Sequence, residues 1–400
     1  MPVHNYALKI SDAEHRQRCE ILLEYVQREG FSGAVLFDPD YVLYYSGFSF
    51  IPTERPMAFV MNGKGECGMY VPRLEYEHAQ SMSVIERVDY YIEYPHNPHP
   101  MHGMANMLKD MGITGNILAD NDGYPWVFGY RGAALSELMG ATVSNVRAFV
   151  EDQMMIKSAA ELNLIRESCV WGNLAHMLLQ RYTKVGVTET EVSQRASDEA
   201  TRTMMDAIGP VYRAQSQYYS GASAGYRGQI GRNAAIPHAL GNNIVFQAGD
   251  TLVTGAGAAV WGYVSELERS MFIGAPNDEQ KRLFDHMVAL QDLAIETLEP
   301  GRKCSDVDRT VRAYYEKHDL MDNWKHHVGH AIGIRYHEGP FLDIGDDTLM
   351  QPGMVFTIEP GLYEAGVGGF RHSDTVAITE DGSEMMTYYP RDLESLIIPV

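Results

Sequence analysis

Over the first 150 residues, short apolar runs alternate with segments of amphipathic helical pattern, and this alternation is the feature that most restricts the fold. A helical pattern extends from about Ser11 to Gly30, and the buried-strand pattern GAVLFDP follows it. The later runs YVLYYSGFSF, AFVMN, ECGMYVP, ERVDYYIEY and NILAD also have strand character, with helical patterns near 74–80 and 102–111. Strands that alternate with helices are typical of a layered α/β domain.

The rest of the chain predicts a second domain. A chain of 400 residues exceeds what one hydrophobic core usually organises. The helical segment EDQMMIKSAAELNLIRESCVWGNLAHMLLQRY follows the first domain, with an interruption expected near Lys157-Ser158. Beyond it, helical and strand-like patterns are mixed. We therefore expect an α/β (α+β) protein with two domains, residues 1–153 and 154–400.

The net charge of the chain excludes two classes of partner. Asp and Glu number 53 against 32 Lys and Arg, which gives a formal net charge of −21. A surface of this sign repels phosphate backbones and anionic lipid headgroups, so we expect neither a nucleic acid nor a membrane as partner. The same charge favours a cationic or zwitterionic small substrate.

Cysteine usage and the N-terminal sequence predict a cytoplasmic protein. The four cysteines lie far apart without a CxxC pair, which argues against disulfides and a structural zinc site. The N-terminus carries charge where a signal peptide needs an apolar run. No stretch approaches the roughly 18 to 20 apolar residues that a membrane helix needs.

Two carboxylates share one strand face in the segment VSELERSMF. Alternation along a strand puts Glu266 and Glu268 on one side, with Leu267 and Arg269 on the other. Carboxylates this close repel each other unless a positive group lies between them. A solvated face is the alternative interpretation of this segment.

Histidines and a further glutamate gather near the C-terminus. His330 and His337 belong to the histidine-rich segment HHVGHAIGIRYHEGP, and Glu359 ends the apolar run MVFTI. Clustered His and Glu favour metal ligation, and a buried carboxylate needs a cation, a metal or a donor network as partner. The remaining histidines of these segments are interpreted as structural or exposed: His326, His327 and His372.

A long glycine-rich stretch is a candidate binding loop. The segment SGASAGYRGQIGRNAAIPHALGNN is polar and ends near His238, which follows a proline. A single histidine in such a place is usually satisfied or exposed. Glycine-rich phosphate loops of the P-loop or Rossmann kind and the GxSxG signature of serine hydrolases do not occur.

Taken together, the segments IPHAL, AGDTLVTGAGAAVWGYVSELERSMFIG, VGHAIGIRYHEGP, PGMVFTIEPGLY and GFRHSDTVAIT resemble the "pita-bread" (M24) family. That family contains methionine aminopeptidase, Xaa-Pro aminopeptidase and prolidase, creatinase, ectoine hydrolase and one kind of dimethylsulfoniopropionate lyase. The resemblance covers nearly the whole chain. It implies an N-terminal ribonuclease H-like α/β domain, a C-terminal pita-bread domain with a curved antiparallel sheet, and a homodimer.

The resemblance departs at the metal site. The metallopeptidases of the family hold two ions with two Asp, one His and two Glu, and these positions fall on Gly255, Glu266, His330, Glu359 and Ser373. Two cations about 3.5–4 Å apart need bridging negative charge to offset their repulsion. The loss of two ligands therefore predicts no dinuclear site and no cofactor; the alternative is a single divalent ion on Glu266, His330 and Glu359.

Within the family the chain resembles the metal-free, creatinase-like members most closely, and these suggest the main functional hypothesis. Creatinase carries the triplet Leu-Glu-Arg that stands here at 267–269, and its residues matching Glu268 and Glu359 hold a guanidinium while the one matching His238 moves a proton. The resemblance thus implies a creatinase-like amidinohydrolase that cleaves a C–N bond of a small creatine-like or ectoine-like zwitterion. Arg55 would reach the substrate carboxylate across the dimer.

The other expected substrate contacts are Glu266, His330 and His337. His337 departs from creatinase, because a second arginine for the substrate carboxylate stands at that position there. Three alternatives stay open: a metal-dependent Xaa-Pro aminopeptidase or dipeptidase, a dimethylsulfoniopropionate lyase-like enzyme, and a non-catalytic pita-bread binding module.

Overall fold

A computed structural model of the chain describes residues 7–125, 132–216 and 219–400. Its contacts divide the chain into two compact units, with the main division between Met154 and Met155. The predicted two-domain α/β class is confirmed. The predicted domain boundary, between 153 and 154, is kept as a proposal. Among the described helices, none has the length and apolar character needed to cross a bilayer.

The first unit is built on a six-stranded mixed sheet with the strand order β4-β3-β2-β1-β5-β6. Strands β1, β2 and β3 pair antiparallel, whereas β4, β5 and β6 join in parallel pairs. The strands are Gly33–Leu36 (β1), Ala58–Asn62 (β2), Cys67–Pro72 (β3), Arg87–Tyr91 (β4), Ile117–Ala119 (β5) and Val143–Asn145 (β6). The helices are Asp12–Arg28 (α1), Pro39–Ser46 (α2), Tyr76–Met82 (α3), Pro100–Asp110 (α4), Leu135–Met139 (α5) and Arg147–Met155 (α6).

The apolar run YVLYYSGFSF, which the sequence analysis predicts as a strand, begins instead as helix α2. Asp38 caps this helix, because its side chain accepts a hydrogen bond from the amide of Asp40. Pro39 suits the first helical turn, and Gly47 ends the helix with a φ of 71°. The prediction was wrong because a helix buried on every side has the same apolar composition as a buried strand.

The second unit contains a nine-stranded antiparallel sheet. Its main path is β10-β9-β11-β18-β15-β13-β14, and β7 and β19 pair with β9 and β18. The strands are Ala222–Gly225 (β7), Thr251–Val253 (β8), Gly255–Val260 (β9), Tyr263–Val264 (β10), Leu267–Glu268 (β11), Ser270–Ile273 (β12), Gly329–Ala331 (β13), Glu338–Leu342 (β14), Val355–Ile358 (β15), Gly361–Glu364 (β16), Gly368–Arg371 (β17), Ser373–Thr379 (β18), Gly382–Met385 (β19) and Ile397–Ile398 (β20). Strands β20, β12 and β8 form a separate small sheet, and β16 and β17 form a hairpin.

Among its described residues the second unit also contains the α-helices Ala159–Tyr182 (α7), Glu189–Ile208 (α8), Asp278–Glu296 (α9) and Cys304–Lys317 (α10). The interruption predicted at Lys157-Ser158 is confirmed, since Ser158 and Glu161 form a capping box that starts α7. Helix α7 approaches β9 very closely, because a Cβ on Gly172 would lie 2.9 Å from the Cα of Gly257. This close packing places the beginning of β9 beside the polar residues described next.

Candidate active site

Three of the predicted site residues lie together on the nine-stranded sheet. Glu266 immediately precedes β11, His330 lies in β13, and Glu359 immediately follows β15. One potential ligand atom from each lies within 4.8 Å of those of the other two. One imidazole and two carboxylates at this spacing match the donor set of a single divalent transition-metal ion.

Hydrogen bonds to neighbouring groups orient these three side chains. Nε2 of His330 lies 3.1 Å from Oε1 of Glu359, and Nδ1 of His330 lies 3.0 Å from the carbonyl oxygen of Ala331. The hydroxyl of Ser373 donates to Oε1 of Glu266 at 2.7 Å. An imidazole whose Nδ1–H is bonded to a carbonyl offers Nε2 to a cation.

The protonation of the three groups reflects their closeness. Burial, with the negative charges of Glu359 and Glu268, raises the pKa of Glu266 to about 7. Burial disfavours a charge on His330, but Glu359 and Glu266 outweigh it and raise the pKa of His330 to about 9. Burial is likewise outweighed at Glu359, where His330 and Arg371 hold the pKa well below its usual range. At neutral pH a proton therefore lies on the same atoms that would bind a divalent ion.

The cation between Glu268 and Glu359 is an arginine of the protein itself. Nη2 of Arg371 donates to Oε1 of Glu268 at 2.9 Å, and its Nε donates to Oε2 of the same carboxylate. Nε of Arg371 also lies 3.7 Å from Oε2 of Glu359, and Nη1 donates to the hydroxyl of Tyr363 at 2.8 Å. Only 3% of the Arg371 side chain is exposed. The prediction that a substrate guanidinium lies between these two glutamates is therefore corrected, because the guanidinium of Arg371 occupies that position.

The residues around the second metal position of the family do not fit a second ion. A Cβ on Gly255 would lie 3.5 Å from Oε1 of Glu268, so the Glu268 carboxylate lies beside the missing side chain. That carboxylate is already bonded to Arg371 and, at 2.8 Å, to Arg227. Ser373 supplies a hydroxyl instead of a bridging carboxylate. The donor set fits one ion and not two.

A cavity of about 390 Å³ adjoins the cluster and is lined by Glu266 and Glu268, with Arg227, Tyr336 and His337 on its wall. The ring of His337 stacks on that of His330, with the centroids 3.8 Å apart. Burial and the positive charge of His330 lower the pKa of His337 to about 4. His337 is therefore neutral at physiological pH and able to donate or accept a hydrogen bond.

Two predicted site residues lie outside this group. His238 is exposed and follows a short 3₁₀ turn. Arg55 belongs to the first unit, where it pairs with Glu54 at 2.7 Å and Glu93 at 2.9 Å. Their catalytic and cross-dimer roles stay predictions.

The histidines interpreted as structural or exposed differ from one another. His372 is fully buried and contacts the amide of Ser270, which agrees with a structural role. His326 lies 2.8 Å from the hydroxyl of Tyr363, the same hydroxyl that Arg371 contacts. It therefore supports the arginine rather than facing solvent.

Sequence reasoning missed Arg371 and Arg227. Arg371 ends the short run GGFR directly before the region that resembles the last metal ligand, and Arg227 interrupts the glycine-rich loop. The expectation that Glu266 and Glu268 need a positive group between them was the available signal. The positive group was assigned to a substrate because no local sequence pattern shows which arginine pairs with Glu268.

Two family descriptions match the chain. Residues 163–380 match metallopeptidase family M24, and residues 18–153 match the creatinase/prolidase N-terminal domain. The chain therefore belongs to metallopeptidase family M24, and the predicted pita-bread fold is confirmed.

Named relatives of similar length extend this comparison. The Xaa-Pro dipeptidase of Pyrococcus furiosus is 26% identical over 94% of this chain and 99% of its own length. The putative dipeptidase YkvY of Bacillus subtilis is also 26% identical, over 94% of this chain and 99% of its own. The crystal structure of the prolidase from Pyrococcus horikoshii superposes with a TM-score of 0.80 at 25% identity, covering 94% of this chain and 99% of the other.

These relatives overturn the main functional hypothesis. They are named as dipeptidases acting on peptides, so the expected creatinase-like, metal-independent amidinohydrolase is wrong, as is the closer kinship to the metal-free members. The expectation of no cofactor is corrected in part, because a metallopeptidase family and the three-residue cluster both indicate use of a divalent metal.

Proposed function

We propose that this protein is a metal-dependent dipeptidase that hydrolyses the peptide bond of small Xaa-Pro substrates. The observation that carries the proposal is the convergence of Glu266, His330 and Glu359, whose ligand atoms lie within 4.8 Å of one another. Membership of family M24 and the names of full-length relatives support the reaction and the substrate class.

The metal would be held by Nε2 of His330 and one carboxylate oxygen each of Glu266 and Glu359. A divalent ion at such a site supplies Lewis-acid polarisation of a carbonyl oxygen. The chain positions its ligands beforehand: Ala331 fixes the His330 ring through Nδ1, and Ser373 fixes the Glu266 carboxylate.

The guanidinium of Arg371 supplies a permanent positive charge on the other side of Glu359. The Arg371 guanidinium lies 3.7 Å from Oε2 of Glu359, whereas Oε1 of Glu359 faces Nε2 of His330. We therefore propose one divalent ion per chain. The arginine offsets the negative charge that a second ion would otherwise neutralise.

The cavity beside the cluster would bind the dipeptide. His337 is neutral and Tyr336 keeps its proton, because burial, followed by the charge of Glu266, raises the pKa of Tyr336 well above neutrality. Both can hydrogen-bond to a neutral amide. We also keep three earlier expectations as proposals. His238 would carry a proton, Arg55 would reach the partner subunit of a homodimer, and the protein would be cytoplasmic.

The test is hydrolysis of Xaa-Pro dipeptides by protein stripped of metal with a chelator and then reloaded with Mn²⁺, Co²⁺ or Zn²⁺. We expect activity only after reloading, and a loss of about 100-fold or more in Glu359→Gln. Exposed Glu380, at the end of the same sheet, gives the matched control Glu380→Gln, which should keep full activity. Equal turnover by stripped and reloaded protein, or none on any such dipeptide, contradicts the proposal.

A further inference from the structure

Arg227 has an unusual backbone conformation at the cavity. It follows β7 within the glycine-rich segment, and its φ of 51° lies in the left-handed region that residues with a side chain seldom adopt. Such conformations persist where the surrounding structure enforces them, and they concentrate at functional sites. The conformation of Arg227 is therefore consistent with a functional role for its side chain.

The guanidinium of Arg227 is anchored at one nitrogen only. Nη2 donates to Oε1 of Glu268 at 2.8 Å and to Oε1 of Gln229 at 3.2 Å. The side chain remains 51% exposed, whereas that of Arg371 is 3% exposed. Arg227 thus has donors left for a ligand, and Arg371 is enclosed by its partners.

The cavity wall places this arginine beside the proposed metal cluster. Of the described residues that line the cavity, Arg227 is the one with a permanent positive charge. Glu266, a proposed metal ligand, lines the same cavity. A small peptide in this space would therefore contact the metal ligands at one end and a guanidinium at another.

We propose that Arg227 binds the free carboxylate of the substrate and so restricts the enzyme to dipeptides. A guanidinium fork matches a carboxylate in geometry and charge. Glu268 holds Arg227 in place. The negative charge of Glu268 stays neutralised when Arg227 binds a ligand, because Arg371 remains bonded to the same carboxylate. This inference rests on the proposed dipeptidase activity, but it assigns the end of the substrate that is recognised.

The test compares an Xaa-Pro dipeptide with the same dipeptide carrying a C-terminal amide. Both offer the same scissile bond and differ only in the carboxylate. We expect the metal-loaded wild-type protein to prefer the free acid by about 10- to 100-fold in kcat/KM, mostly through KM. In Arg227→Gln, kcat/KM for the dipeptide should fall by this factor, whereas kcat/KM for the amide should change little. Arg227→Lys should recover part of the loss on the dipeptide.

Binding of the product-like probe proline gives a readout independent of turnover. Calorimetric titration of the loaded protein should show binding of proline to wild type, weaker binding of prolinamide, and an Arg227→Gln variant that no longer distinguishes the two. Exposed Arg232, on the same segment, provides the control Arg232→Gln, which should behave as wild type.

The outcomes separate the two proposals. Equal hydrolysis of acid and amide by wild type, or an Arg227→Gln variant that loses activity on both alike, overturns the role of Arg227 and leaves the peptidase intact. A loaded protein that cleaves neither substrate overturns the proposed function itself.

Discussion

The carboxylate of Glu268 lies 3.5 Å from the point where a side chain on Gly255 would begin. The metallopeptidases that the chain resembles carry an aspartate at this position, so Glu268 brings a carboxylate back to the same neighbourhood from another strand. Its oxygens are bonded to Arg371 and Arg227. The negative charge is thus retained, and guanidinium groups neutralise it where a second metal ion would be expected.

One consequence is the number of metal ions. Calorimetric titration of stripped protein with Mn²⁺ should reach saturation at one ion per chain. Glu268→Gln should keep this value because Glu268 is not a ligand, whereas His330→Ala should abolish tight binding because one of three ligands is lost. Two ions per wild-type chain, or loss of the ion in Glu268→Gln, would contradict this assignment.

The ion pair of Glu268 and Arg371 should also matter for stability. Both side chains are nearly buried, at 4% and 3% exposed, so Glu268→Ala leaves a buried charge without its main partner. We expect a loss of about 3–5 kcal/mol in the free energy of unfolding by urea. The double variant Glu268→Met/Arg371→Met should recover much of it.

A surface pair gives the comparison for that measurement. Arg166 and Glu384 lie 2.7 Å apart and are 41% and 36% exposed. Glu384→Ala should therefore change the free energy of unfolding by less than about 1 kcal/mol. Similar losses of unfolding free energy in Glu268→Ala and Glu384→Ala would show that burial does not determine how much the Glu268–Arg371 pair stabilises the fold.

The sequence analysis predicted no metal and gave one ion on Glu266, His330 and Glu359 only as the alternative. These three residues were grouped because they match metal-ligand positions of the resembled family, and Glu359 also ends an apolar run, where an isolated polar group is costly. In the structure their ligand atoms lie within 4.8 Å of one another. The role of Glu268 was misassigned because its partner Arg371 is separated from it by 103 residues, and the pairing depends on how β11, β17 and β18 meet. Local periodicity carries no information on such a contact.

Helix α2 shows the same limit for the fold. Its apolar run was predicted as a strand, although the Asp-Pro pair before it and the glycine after it are helix-boundary signals. The patterning alone did not distinguish the two, because burial on all sides removes the periodicity that separates helix from strand.

Acid should destabilise the second unit through His176. Burial and the charge of Arg269 lower the pKa of His176 to about 3, and its Nε2 lies 2.7 Å from the hydroxyl of Thr254. The unfolded state binds a proton below pH 6.5 and the folded state does not, so stability present above pH 6.5 is lost as pH falls towards 3.

The contribution of His176 can be measured as the difference in the free energy of unfolding between two pH values. At pH 4 the loss from this one group should be about 3 kcal/mol relative to pH 7. Urea unfolding at both values should show a smaller loss in His176→Gln than in wild type. The exposed His318 supplies the control His318→Gln, which should lose as much as wild type; an unchanged loss in His176→Gln would mean that other groups set the acid sensitivity.

The four cysteines should differ sharply in reactivity. Cys19 and Cys67 line one cavity of the first unit, and the neighbouring Cys19 side chain lowers the pKa of Cys67. Burial raises the pKa of both Cys169 and Cys304 to about 12. Because the thiolate is the reactive form, a maleimide should label Cys67 first and the two buried thiols last, as read by peptide mass spectrometry. Cys19→Ala should slow the labelling of Cys67 by removing the neighbour that lowers its pKa. Labelling of Cys304 as fast as Cys67 in the folded protein would contradict this order.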